Sequence, residues 1–276
     1  MLPDSAVLKD VACDYITAYA AGPIAAEKLH AVASSLYRHE AEIGNRVRSF
    51  GISGFSGFKC GEVEIGKRKD ELLVRLHGNA AALSWGTLLD HADNCSRFDV
   101  QATVLVQGGV TKTIEKFRRA ARVHSDSQNK KPIVRWVCDH RGGYTLYLGA
   151  RQSDCFGRVY DKWQKTKIDY YKECVRFEVQ YQDSLALRVA STLRSASSPR
   201  PVMSGLIQSF MERRGCRLEL PGATLTSIRC PRTRPDLDRT LEWLQAHVRP
   251  SVLRLIDAGR GSEALTALGL VDETPE

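Results

Sequence analysis

The sequence predicts an α+β fold: a mainly antiparallel sheet with helices packed on one face, followed by a helical C-terminal extension. Three observations predict it. One five-residue motif occurs twice, Arg97-Phe98-Asp99-Val100-Gln101 and Arg176-Phe177-Glu178-Val179-Gln180. The order strand, strand, helix, strand, helix runs twice around those copies, as if one unit had been duplicated. Beyond residue 200 the two-residue alternation fades and helical periodicity takes over.

A strand is expected near 13–19, and residues 23–44 are helical in pattern, with Pro23 near the start and Leu29, Val32 and Leu36 on one side. The glycine-rich stretch FGISGFSGFKCG (50–61) reads as a loop or an irregular hairpin. GEVEIG (61–66) and LLVRLHG (72–78) read as strands, 80–92 as a helix capped by Asn79, 97–106 as a strand and 110–124 as a helix. The series then recurs: strands at 144–149 and 157–162, a helix over 163–173, a strand at 175–181 and a helix over 184–196. The match runs below element type. Arg75 follows Gly66 by nine residues and Arg158 follows Gly149 by nine, so His77 aligns with Tyr160.

These elements imply a domain over 1–200, with halves at about 50–125 and 140–197, and an extension over 201–276. SSPRP (197–201) marks the boundary. A helix over 203–215 ends at Gly215, residues 216–238 are loop-rich, and Asp238 caps a helix over 239–259 interrupted at Pro250. A short helix over 261–270 closes the chain.

The 276 residues are 43% hydrophobic, enough for a proper core. No run of 18 apolar residues occurs and the N-terminus lacks a basic leader, so a cytoplasmic protein without membrane association is expected. Eight cysteines without a CxxC pair suggest free thiols and argue against a zinc site. The net charge of +8 suits a polyanionic partner. Lys112, Lys116, Arg118, Arg119 and Arg122 crowd one predicted helix, and Lys162, Lys165, Lys167 and Lys172 another.

Alternation sets Arg97, Asp99 and Gln101 on one face of their strand, and Arg176, Glu178 and Gln180 on one face of theirs. If the two strands are neighbours, the acids approach each other. Two carboxylates can bind a hard divalent cation, act as an acid/base pair, or simply pair with Arg97 and Arg176. Tyr160 is a candidate nucleophile for a phosphodiester, with Lys162 two residues on along the same face to steady a phenolate. A half-buried structural tyrosine is the alternative.

Thr145-Leu146-Tyr147-Leu148-Gly149-Ala150-Arg151-Gln152-Ser153, then Arg158-Val159-Tyr160-Asp161-Lys162, then Arg176-Phe177-Glu178, resembles the replication initiation factor family of rolling-circle plasmid and filamentous-phage initiators, related to tyrosine nickases and conjugative relaxases. Leu76-His77-Gly78-Asn79-Ala80 with Arg97-Phe98-Asp99 is similar to its N-terminal half, and Val248-Arg249-Pro250-Ser251-Val252-Leu253 to the tail of phage-type members. The resemblance spans roughly 50–260 and implies a sequence-specific DNA nickase that starts rolling-circle replication through a covalent 5′-phosphotyrosine. It implies Tyr160 as nucleophile, with Tyr147 or the Tyr170/Tyr171 pair as rivals, and Asp99 and Glu178 as ligands of Mg2+ or Mn2+. The family often carries an acid where Thr103 stands, and His77 is the substitute ligand considered. Arg97, Arg151, Arg158, Arg176, Lys112, Lys116 and Arg119 are then the candidate DNA contacts. Double-stranded origin DNA, single-stranded DNA, a host helicase and a second copy of the chain are the expected partners. A conjugative relaxase and a non-catalytic origin- or operator-binding protein are the alternatives.

Overall fold

The fold is organised by a long first strand, β1 (Val7–Ala21), whose apolar residues are placed between two later strands. The structure, a computed structural model, describes residues 2–3, 5–52, 54–107, 109–127, 134–138, 143–226, 228 and 244–267. Two compact units result, Met1–Arg229 and Cys230–Glu276.

In the first unit β1 leads to α1 (Pro23–Glu42), then β2 (Val47–Ile52), β3 (Phe55–Cys60), β4 (Val63–Arg68) and β5 (Glu71–His77). The order continues with α2 (Gly78–Asp90), β6 (Asn94–Leu105), α3 (Val110–Ser127), β7 (Val134–Cys138), β8 (Tyr144–Leu148) and β9 (Cys155–Asp161). After α4 (Lys162–Thr166) and a 3-10 turn (Asp169–Tyr171) come β10 (Cys174–Gln182), α5 (Asp183–Ser195) and α6 (Pro199–Glu212). The strands form one ten-stranded sheet in the order β2-β3-β4-β5-β1-β6-β10-β9-β8-β7. Each neighbouring pair in that order runs antiparallel.

One face of the sheet is apolar and carries α2, α3 and α6, while the short α4 stands on the other. Trp85 of α2 meets Phe98 of β6 edge-on, and Phe117 of α3 meets Phe177 of β10 the same way. Tyr181 of β10 donates to the Leu206 carbonyl of α6. A Cβ on Gly157 of β9 would lie 2.3 Å from the Phe210 ring of α6, so glycine lets that helix seat. The other face carries the polar residues of the same strands.

Several expectations are corrected. The glycine-rich stretch is a regular hairpin, β2 with β3, whose close approach to β4 needs Gly57: a Cβ there would lie 1.9 Å from the Ile65 carbonyl oxygen. Asn79 sits inside α2 and does not cap it. His77 holds the cap position, and Glu62 accepts from the Ala80 backbone N–H at 2.8 Å. The helix expected over 163–173 breaks into α4 and the 3-10 turn. Thr166 turns its hydroxyl back to the Lys162 carbonyl, and Lys167 takes a left-handed conformation with φ 58°. β7 had no counterpart in the sequence pattern. The expected three strands per half are also too few, because β1 inserts between β5 and β6 and the first half gains β2 and β3.

α6 lies in the first unit, with Leu206, Ile207 and Phe210 buried. The described part of the second unit is a π-helical turn (Leu244–Val248), α7 (Arg249–Asp257) and α8 (Gly261–Ala267). Pro250 falls in the first turn of α7, where its missing N–H costs nothing. Asp238, the residues 239–243 and residues 268–270 lie outside the described residues.

Candidate active site

The two motif copies are neighbours. β6 and β10 pair so that Val100 faces Val179, Asp99 faces Gln180 and Gln101 faces Glu178. Each acid therefore sits diagonal to the other on the polar face. The alternation expected from sequence holds, and Asp99, Gln101, Thr103, Arg176 and Glu178 are all buried.

Arginines occupy the acids. Arg97 grips Asp99 with two bonds of 2.9 and 2.5 Å, while its guanidinium lies 3.9 Å from the centre of the Tyr15 ring. Arg158 of β9 bonds Glu178 and comes within 3.9 Å of Asp99, so it bridges the two acids. Arg176 is buried, bonded to Thr103 and to Asp14, each at 3.1 Å. Thr103 in turn donates to Gln101, which donates to Asp10. Burial pushes the Asp99 carboxyl up to about 6, with Arg97 pulling it down and the Glu178 charge pushing it further up. Glu178 is also raised, by burial and then by Asp14.

Tyr160 sits on the same face, opposite Arg176 on β10 and Thr145 on β8. It is 3% exposed. Burial first, then the Glu178 charge, holds its phenol well above the usual range, and Arg176 works against them. Lys162 does not continue the strand: it is the first residue of α4, which Asp161 caps by accepting from the Gln164 N–H. It still belongs to the site. Burial and Arg176 depress its ammonium to about 8, and it lies 5.3 Å from the centre of the Tyr171 ring.

Two site residues escaped the sequence reasoning. Asp14 bonds Arg176 from β1, and its charge raises both Glu178 and Tyr160. A lone acid in the apolar run VACDYITAY was the available signal. Lys165 places its ammonium 4.6 Å from the centre of the Tyr160 ring. Its position one turn after Lys162 was the available signal. With these two, three carboxylates (Asp14, Asp99, Glu178) stand among five cations (Arg97, Arg158, Arg176, Lys162, Lys165). A surplus of positive charge around a buried tyrosine suits a phosphate ester.

Other expected residues lie elsewhere. His77 faces Glu64 of β4 at 3.1 Å, and the Tyr15 ring, 4.7 Å away by centroids, stands between it and Asp99 in the row β5, β1, β6. Tyr147 is on β8 opposite Arg158, stacked on Phe156, with exposed Arg151 5.5 Å from the centre of its ring. Lys112, Lys116 and Arg119 are on α3, which covers the apolar face, so they stand on the opposite side of the sheet from Tyr160. Tyr170 and Tyr171 are on the 3-10 turn, where Tyr171 lies 5.5 Å from the Arg176 guanidinium.

The donor set suits a metal only in part. Glu178 Oε2 is buried without a hydrogen-bond partner, which is the chemistry a hard cation satisfies. Among the described residues no group of three or more His, Cys, Asp or Glu side chains is arranged to hold an ion. The fit is to the Asp99 and Glu178 carboxylates, without His77. The seven described cysteines are free thiols, and no helix among the described residues is long and apolar enough to cross a membrane.

No curated protein sequence matches the chain. The structure of a rolling circle replication initiator protein from Geobacillus stearothermophilus is similar in fold, with a TM-score of 0.51 at 18% identity over 75% of this chain and 85% of that one. The family model described as replication initiation factor matches residues 107–268, more than half of the chain. That match includes Tyr160, Lys162 and Glu178, while Asp99 and His77 precede it. With a match over more than half of its length, the chain belongs to the replication initiation factor family.

Proposed function

We propose that the protein initiates rolling-circle replication by nicking one strand of a double-stranded origin and later rejoining it. The observation that carries this is the buried tyrosine itself. Tyr160 is set between Arg176 and Lys165 and beside the acid pair bridged by Arg158.

Arg158, Arg176 and Lys165 would bind the scissile phosphate and offset the charge that builds on its oxygens. The Tyr160 oxygen attacks phosphorus, the bond to the 3′ oxygen breaks, and that oxygen takes a proton from water, so the strand leaves with a free 3′-OH. The phenol is protonated at neutral pH, so it must lose its proton as it attacks. Asp14, whose charge already presses on it and which is not one of the two acids offered to the cation, is the acceptor at hand. Lys162 steadies the developing phenolate. Asp99 and Glu178 would hold Mg2+ or Mn2+ once Arg97 and Arg158 turn from them, and such an ion polarises the phosphoryl oxygens. Arg97 and Arg158, once turned, have DNA phosphate as their next partner. Rejoining is the reverse, with a 3′-OH attacking the phosphotyrosine.

The test is incubation with supercoiled plasmid carrying the gene and its flanking DNA, with Mn2+. Open circles with protein fixed to a 5′ end are expected. Tight binding without cleavage would favour a non-catalytic origin-binding protein, and a substrate confined to transfer-origin DNA a conjugative relaxase.

A further inference from the structure

We infer that the cavity beside Tyr160 is a seat for one unpaired nucleobase of the strand being cut, adjoining the phosphate that Tyr160 attacks. This rests on the nicking role and adds to it a recognition site for single-stranded DNA.

The cavity has a volume of about 200 Å3 and is lined by Thr145, Tyr147, Arg158, Tyr160, Gln164 and Lys165 among others. Its floor follows from the sheet register: Thr145 lies opposite Tyr160, and Tyr147 opposite Arg158, all on the polar face. Its wall is α4, which the Asp161 cap fixes directly after β9. The Tyr147 ring is held in advance. It stacks on Phe156 with centroids 5.8 Å apart and 18° between planes, and Arg151 lies 5.5 Å from its centre. A wall that needs no ordering leaves more of the contact energy for the ligand.

The lining chemistry selects the occupant. Arg158 and Lys165 suit a phosphate. The hydroxyls of Thr145 and Tyr147 and the amide of Gln164 are neutral donors and acceptors of the kind that pair with base edges. An inorganic anion has no use for the aromatic side or the neutral amide, and a metal ion would meet two cations against one carboxylate, Asp161, which is already engaged in capping α4. The volume is on the scale of one base and excludes a base pair, so the duplex must be opened locally before the seat is filled. Because Tyr160 lines the same cavity, the base held there belongs to a nucleotide next to the scissile bond. Base identity at that position is then read by direct contact.

The experiment is calorimetric titration of the full chain with each deoxynucleoside 5′-monophosphate, with deoxyribose 5-phosphate as the baseless control. At least one nucleotide is expected to bind about tenfold more tightly than the control, the scale of one base contact. Tyr147→Leu, which removes the hydroxyl and ring, should abolish that increment and leave control binding unchanged, and Thr145→Trp, which fills the cavity, should abolish the increment as well. Four nucleotides binding no more tightly than the control, or an increment that survives both substitutions, would overturn the proposal. The readout requires no cleavage. A chain that nicks without a base increment sinks the seat alone, and one with the increment that never nicks sinks the nicking role alone.

Discussion

Val100 of β6 stands directly opposite Val179 of β10, each the fourth residue of its copy of the repeated motif. The pairing is reciprocal about that point: Asp99 faces the glutamine of the second copy, and Glu178 faces the glutamine of the first. Two acids are thereby brought together in the interior of a sheet, where burial makes their charge expensive. Arg97 and Arg158 offset that cost, and the same acids are the ones proposed to bind a cation.

Activity should therefore depend on pH from both sides. Asp99, at about 6, must be ionised to bind a cation, so nicking falls below that pH. Lys162, at about 8, must be charged to steady a phenolate, so nicking falls above it. Lys162→Arg should hold activity through roughly pH 9, because a guanidinium keeps its charge there, and rate profiles of the two proteins check this. Stability runs the other way for Asp99. Its folded pKa is above the ordinary 3.8, so its contribution is full below about 4 and is lost as pH rises to about 6.

Asp99→Asn and Glu178→Gln should each lower Mn2+-dependent nicking by about a hundredfold or more, a loss typical of removing one electrostatic group from a phosphoryl-transfer site. His77→Ala should leave the metal dependence intact, because its ring is engaged with Glu64. Titration of Mn2+ against nicking rate separates the cases. Loss of metal response in the His77 variant would return it to the ligand set.

Lys112, Lys116 and Arg119 face away from Tyr160. Replacing all three with alanine should leave cleavage of a short single-stranded substrate unchanged. Any effect should appear in duplex affinity, as a salt dependence shallower by about one unit for each phosphate that the variant no longer neutralises. Equal reductions on both substrates would mean that α3 reaches the scissile strand.

Gly157→Ala tests the packing that supports β9. Its Cβ would fall 2.3 Å from the Phe210 ring, so a loss of about 1–3 kcal/mol is expected from overpacking. Chemical denaturation measures it, and an unchanged midpoint would show that α6 shifts freely.

The sequence pattern made the central strands legible because both motif copies alternate without interruption and lie in the middle of the sheet. The edges were less legible. β2 and β3 are rich in glycine for close approach, which reads as loop, and β7 is a five-residue edge strand outside the repeated order. Asp14 was hidden for another reason. A register shift between Cys13 and Tyr15 leaves it out of the β1–β6 ladder. It bonds Arg176 on the same face where Tyr15 meets Arg97, so strict alternation could not place it. Lys162 reads as strand in the sequence because the turn into α4 depends on the Asp161 cap, which a strand pattern does not reveal. The acid–arginine pairing was one of the alternatives open from sequence. The structure shows it for Arg97 with Asp99, whereas Glu178 pairs with Arg158 and Arg176 turns to Asp14.

Whether Tyr160 forms the covalent link to DNA is decided by peptide mapping of the protein–DNA adduct with mass spectrometry. With supercoiled plasmid and Mn2+, the wild-type chain should yield a nucleotide adduct on the peptide carrying Tyr160, and Tyr160→Phe should yield none while still binding DNA. An adduct on Tyr147, Tyr170 or Tyr171, or one that persists in Tyr160→Phe, would contradict the link to Tyr160.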